Sequence, residues 1–390
     1  MIRIARLSAL MRVKGRACDN RGLMEDPRQF ATPEDAEPLA GSLYRLAAES
    51  LAAATSQRAD AHDVEIETGL LAMLAPGAGA RLDALFAGVP SAAVYRHLWR
   101  ALAKAERRSS SLRRPFALPI IVVAAAETST ATGTTLPGVI DEIDVLVSAM
   151  REHRALAGNE SFALANTLVS ADALSYANLG DLLAWSERAD AVATLPPAPM
   201  RVQGTVESVH LRFLAGVAIA APGANLFGEH APGGWGMPFA QALSRMLGAP
   251  GVSVLALPRA PMPLVEAARQ GGLAQREVGA QVFASNAIRA IRARVGEPSA
   301  VISVHASDGS TQGVEVRLSL SSPLDPRSAE GFRCALSPLD RIDDVVAMLE
   351  RLLADCRVTD VRRMPGVHPD RDPATGQPLL FKADTPPAIH

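Results

Sequence analysis

The sequence predicts a layered α/β protein that turns to α+β at its C-terminal end. Three observations carry this. Between residues 117 and 258, apolar runs of strand length such as "FALPIIVVAAA" and "FLAGVAIAAP" alternate with helical stretches. An amphipathic helical rhythm fills residues 42–104 ahead of them. A hairpin and a sharply patterned helix follow. Alternation of this kind argues for helices layered on a largely parallel sheet.

In chain order, residues 1–40 read as a loose basic arm ending in the turn-rich "DPRQFATPEDAEP". Residues 41–106 form a helical unit: Leu43, Leu46, Ala47, Leu51 and Ala54 share one face, and "PGAG" and "GVPS" break the later helices. "RRSSSLRR" lies in a linker over 107–115, read as a solvated connection rather than a phosphate-contacting patch. An α/β domain over 116–250 follows, with strands near 117–125 and 162–169 and from Val209 to Ala220. Its helices fall near 138–156, 173–189 and 238–248.

From "GVSVLALP" onward the order is strand, long helix, hairpin, helix, strand. This is the β-α-β-β-α-β order of a ferredoxin-like unit over 251–366, with "GFRCALS" as an extra segment. A single domain continuing the parallel sheet is the alternative. In the hairpin, Val314, Val316, Leu318 and Leu320 alternate with Glu315, Arg317 and Ser319, a half-buried strand. Ser337-Pro338-Leu339-Asp340 reads as a helix start, a capping serine followed by proline and an acid. Residues 367–390 are a tail.

Composition narrows the function classes. The 39 basic and 41 acidic residues leave a formal charge of −2, so no broad field draws nucleic acid or anionic lipid. Neither partner is expected. The longest apolar runs are about half the roughly 20 residues a membrane helix needs. Cys18, Cys334 and Cys356 lie far apart without a CxxC pair, which suits a reducing compartment, and a cytoplasmic location is expected.

The helical "HDVEIETGLLAML", the strand "FALPIIVVAA" with its Ser/Thr/Gly loop, "FLAGVAIAAPGANLF" and the ending "DDVVAMLERLLADCRVTDV" resemble a beta- and gammaproteobacterial family known as a domain of unknown function. The likeness implies a fold and a bacterial cytoplasm, and no activity. A cysteine pair just before a Gly-x-Pro-Leu turn marks that family's tail. Here the turn is Gly376 to Leu379, and Asp372 and Thr375 stand at the cysteine positions, so no zinc site is expected.

Two loops carry the candidate chemistry. "ETSTATGTT" leaves a buried strand, and Glu127, Thr128, Ser129, Thr130, Thr134 and Thr135 could meet a ligand there. It lacks the lysine and second glycine of a phosphate loop, so a polar connection capping the next helix is favoured. "APGANLFGEHAPGGWGMP" offers Asn225 and Trp235 as ligand contacts and His230 as a general base with Glu229 as its orienting acid, but a surface loop whose Trp anchors onto the core is favoured. The scattered histidines make no metal set, His62-Asp63 with Glu65 and Glu67 reads as a solvated helix turn, and no cofactor motif is present. The function expected is a non-catalytic module binding a small molecule or a protein partner, with a homodimer allowed. The alternative is a hydrolase or transferase with its site at loops 127–135 and 223–236.

Overall fold

The computed structural model describes residues 38–74, 79–108, 113–156, 161–174, 197–219, 226–227, 234–294, 296–307, 313–322 and 324–382. The expected arm up to residue 37 and nearly all of the helix expected over 173–189 lie outside them. No described helix is long and apolar enough to cross a membrane.

Helices α1 (Pro38–Ala52), α2 (Ser56–Met73), α3 (Gly79–Ala87) and α4 (Ala92–Arg108) form the helical unit. Leu43, Leu70, Leu85, Leu98 and Leu102 are buried between them. Burial of such side chains stabilises by about 1.5–3 kcal/mol each. The acidic turn of α2 is not simply solvated. Asp63 accepts from Ser50 Oγ at 2.7 Å and meets His97 Nε2 at 2.9 Å, tying α1, α2 and α4 together. Glu67 is buried and pairs with Lys104 at 3.6 Å.

Strands β1 (Arg113–Ala126), β3 (Phe162–Val169), β5 (Ser208–Ile219) and β6 (Val252–Pro258) form the first sheet, in the order β3-β5-β1-β6. Every pairing in it is antiparallel, which corrects the largely parallel sheet expected from the sequence. The long apolar runs have a different cause. Phe116, Leu118, Ile120 and Val122 face helices α5 (Ile143–Glu152) and α6 (Gly236–Met246), while Ala117 and Ile121 face the long helix Leu264–Arg294 and share its core with the helical unit. Both faces are covered, so no alternation survives.

The 31-residue helix α7 (Leu264–Arg294) then runs about 46 Å and spans two cores. Its first half buries Ala267 and Ala274 against the first sheet and the helical unit. Its second half buries Ala280, Ala284, Ala287 and Ile288 on a second sheet.

That sheet contains β7 (Ser299–Ala306), β8 (Val314–Ser322), β9 (Asp325–Ala335) and β10 (Asp360–His368) in the order β10-β7-β8-β9. Helix α8 (Ile342–Asp355) packs beside α7 on its apolar face. The ferredoxin-like order fails in two places. Strand β6 pairs with β1 and belongs to the first sheet, and "GFRCA" lies within edge strand β9. Among the described residues, β10 and β7 are the only parallel pair.

The second sheet's other face is polar yet buried. Arg317 is fully buried and Glu315 nearly so, although their alternation reads as half-exposed. The chain after β10 covers them. Arg317 Nη1 donates to Asp370 O at 2.6 Å and Leu379 O at 3.0 Å, and its Nη2 donates to the Asp370 carboxylate. Arg333 Nε donates to Glu315 Oε1 at 2.7 Å. A Cβ at Gly331 would press on the Leu380 side chain where the tail crosses β9.

Candidate ligand-binding cleft

Several amides of the loop after β1 are engaged within the protein. Glu127 N donates to Gly251 O at 2.8 Å and Gly133 N to Val202 O at 2.7 Å. Ala131 N donates to Thr128 O at 3.2 Å and Thr134 N to Ala131 O at 3.3 Å. A phosphate cradle needs amides pointing outward, and these are committed inward. Ser129 to Ala131 make a short 3-10 turn, Thr128 and Thr130 hydroxyls bond each other at 2.8 Å, and Thr135 enters β2 (Thr135–Leu136), paired with β4 (Met200–Arg201). The threonines do not cap α5, whose N-cap is Glu142 and bears no side-chain cap bond.

The second loop starts from the opposite end of the sheet. Ile219 ends β5 opposite Arg113 at the start of β1, whereas Ala126 ends β1 opposite Val252. The two points of departure are separated by the length of β1, on the order of 40 Å. Asn225, Glu229 and His230 lie outside the described residues. Trp235 is described and buried, packed edge-on to Phe239 with ring centroids 5.5 Å apart. It is a core residue rather than a ligand contact.

Arg114, from the expected solvated linker, is buried, and its Nη1 donates to Arg107 O at 3.3 Å. Among the described residues no group of three or more His, Cys, Asp or Glu is arranged to hold a metal.

Two Ser–His pairs went unremarked in the sequence because each is an i, i+2 pair on one strand face. Ser208 Oγ donates to Ala124 O at 2.9 Å and lies 3.0 Å from His210 Nε2. With its proton on the carbonyl, Ser208 cannot pass it to His210. Ser303 Oγ lies 2.8 Å from His305 Nε2, and His305 Nδ1 lies 2.8 Å from Pro369 O, so Nδ1 carries the proton and Nε2 accepts from Ser303. This is a relay in form. Burial, reinforced by Arg317 and His368, holds the His305 pKa down at about 4, and the pair is sealed beneath the tail. The neighbouring Arg317 is spent on Glu315, Asp370 and Leu379, so its guanidinium is not free for an oxyanion.

An open concavity among the described residues lies elsewhere, where α4, α7, α8 and the turn before α8 meet. Its volume is about 420 Å³, within the range of small-molecule sites. The floor is Trp99, buried and stacked on Tyr95 with centroids 6.1 Å apart. One wall is α7 at Ala268, Gly272 and Leu273; the other is α8 at Val345 and Met348. The turn from Ser337 to Asp340 closes one end.

That turn corrects the expected helix start. Asp340 Oδ2 accepts from Ser337 N at 2.7 Å and Ser337 Oγ at 2.8 Å, and α8 begins only at Ile342. The bonds resemble a capping box, but Asp340 Oδ1 also accepts from Arg276 Nη2 at 2.6 Å, so the turn is pinned to α7 instead of opening a helix. Arg96 Nη1 reaches Pro338 O at 3.5 Å from the helical unit.

Adjacent glycines shape the cleft. A Cβ on Gly271 would lie 2.9 Å from the Phe213 ring, so this glycine lets α7 approach the first sheet. A Cβ on Gly272 would meet nothing nearer than Arg276 Nη1 at 3.9 Å, and this position opens onto the cavity. The signal in the sequence was "GG" inside a long helical pattern, a poor helix pair unless packing or a cavity requires it.

No protein-family model, no curated protein and no solved structure matches this chain.

Proposed function

We propose that the chain is a cytoplasmic, non-catalytic ligand-binding module whose site is the cleft between α4, α7 and α8. The observation that carries this reading is the lining itself: an apolar floor and walls edged by arginines, with its one hydroxyl and carboxylate pair, Ser337 and Asp340, tied into a turn and to Arg276. Its one hydroxyl nucleophile, Ser337, donates to Asp340, and no histidine stands near enough in the lining to take a proton. Such a surface binds and orients, and lacks groups for acyl or phosphoryl transfer.

A hydrolase or transferase built from loops 127–135 and 223–236 is the second reading. It requires the two loops to converge, and the β1–β5 register starts them from opposite ends of one strand. The binding reading needs no such convergence.

Native mass spectrometry of gently purified protein tests it, with Gly272→Trp as the comparison. The indole fills the cavity from a position with room for a side chain. A small molecule retained by the unaltered chain and absent from Gly272→Trp is the expected result. The same adduct on both proteins moves the site elsewhere.

A further inference from the structure

The cleft's charges divide unevenly between used and unused groups, and this points to the class of ligand. Four arginines line it, at positions 269, 276, 341 and 351, against three acids, Glu277, Asp340 and Asp344. Most are already engaged. Asp340 is buried, with Arg276 on one oxygen and Ser337 on the other. Glu277 lies 3.6 Å from Arg259, and Arg269 lies 3.1 Å from Glu266.

Arg341 and Arg351 remain. Neither side chain makes an ion pair or hydrogen bond among the described residues, and both are exposed at the cleft rim. They bracket one face of α8, with Asp344 and Met348 between them at helical spacing. Asp344 opposes them, but it sits exposed in the first turn of α8, where a carboxylate complements the helix dipole and water screens it. One guanidinium in excess, above an apolar floor, suits an anionic head on an apolar body.

We propose, resting on the binding reading above, that the cleft takes an amphipathic organic anion. Its carboxylate, sulfonate or phosphate meets Arg341 and Arg351, and its hydrocarbon or ring part lies along Leu273 and Met348 over Trp99. Guanidinium suits such a head because its planar fork pairs with oxyanions in bidentate fashion. The apolar walls supply affinity that a bare ion cannot gain.

Two fluorescent probes of nearly the same shape test this: anilinonaphthalene sulfonate and neutral anilinonaphthalene, titrated into the full chain. The sulfonate binds more tightly, and Arg341→Ala/Arg351→Ala weakens it about tenfold, two screened charge contacts' worth, while the neutral probe is unaffected. Arg341→Lys/Arg351→Lys recovers part of the loss. Unchanged thermal melting of the variants keeps the comparison with folded protein. Equal affinity for the two probes, with both lost in Gly272→Trp, overturns the anion class and leaves the cleft as a binding site. Displacement of the probe by inorganic sulfate at the affinity of the whole amphiphile overturns the apolar half. Binding of neither probe, or binding indifferent to Gly272→Trp, overturns the cleft and the anion together.

Discussion

Gly271 and Gly272 are neighbours on one helix and face opposite obligations: Gly271 lies against the Phe213 ring, and Gly272 faces the open cleft. The pair separates what holds the fold from what shapes the site. Gly271→Ala should destabilise by about 1–3 kcal/mol through overpacking. Gly272→Ala should be neutral or stabilising by up to about 1 kcal/mol, since alanine replaces glycine inside a helix. Urea unfolding of both variants checks this, and equal losses would contradict it.

The second sheet's buried charges make a second prediction. Glu315 accepts from both Arg317 and Arg333, and although burial pushes its pKa up, those bonds outweigh burial and hold it below the usual carboxylate range. Glu315→Ala leaves Arg317 buried with less compensation and should cost about 3–5 kcal/mol. A chemical melt showing a loss under 1 kcal/mol would mean that the tail and water compensate Arg317 without Glu315.

His305 sets an acid limit on stability. Burial holds its pKa at about 4, with Arg317 and His368 pressing the same way and Glu315 and the Pro369 carbonyl opposing. The folded state therefore binds fewer protons than the unfolded chain, whose histidine titrates near 6.5. The stability tied to neutral His305 is present above about pH 6.5 and is lost as pH falls towards 4. Stability against pH for His305→Asn should show a flatter acid limb than the unaltered protein.

Glu106 acts with the opposite sign. Burial pushes its carboxyl up to about 8, against the amide of Val265, which donates to it at 3.2 Å where α7 begins. The folded state holds the proton more tightly, so stability declines as pH rises from about 4.5 through 8. Glu106→Gln keeps an acceptor for Val265 and removes the titration. Its stability should therefore fall less over that interval.

Strand and helix positions were largely legible in the sequence, because periodicity records which faces meet apolar neighbours. Strand direction was not. The run from Phe116 to Ala126 is apolar throughout because helices cover both faces, and that pattern is the same whether β5 beside it runs parallel or antiparallel. Likewise Glu315 and Arg317 give a half-exposed pattern, and only the distant Asp370 and Leu379 reveal that they are buried. The cleft escaped sequence reading because Trp99, Gly272 and Met348 come from three separate helices. Loop composition drew attention to 127–135, whose amides turn inward to Gly251 and Val202.

The cleft is tested most directly by methyl NMR on protein labelled at methionine, titrated with anilinonaphthalene sulfonate. Met348 lines the cavity, while Met150 is fully buried beneath the first sheet on the far side. Met348→Leu identifies the cleft signal. A saturable shift of Met348 with Met150 unmoved is the result the account predicts. A Met348 signal that stays still while the probe binds would contradict it.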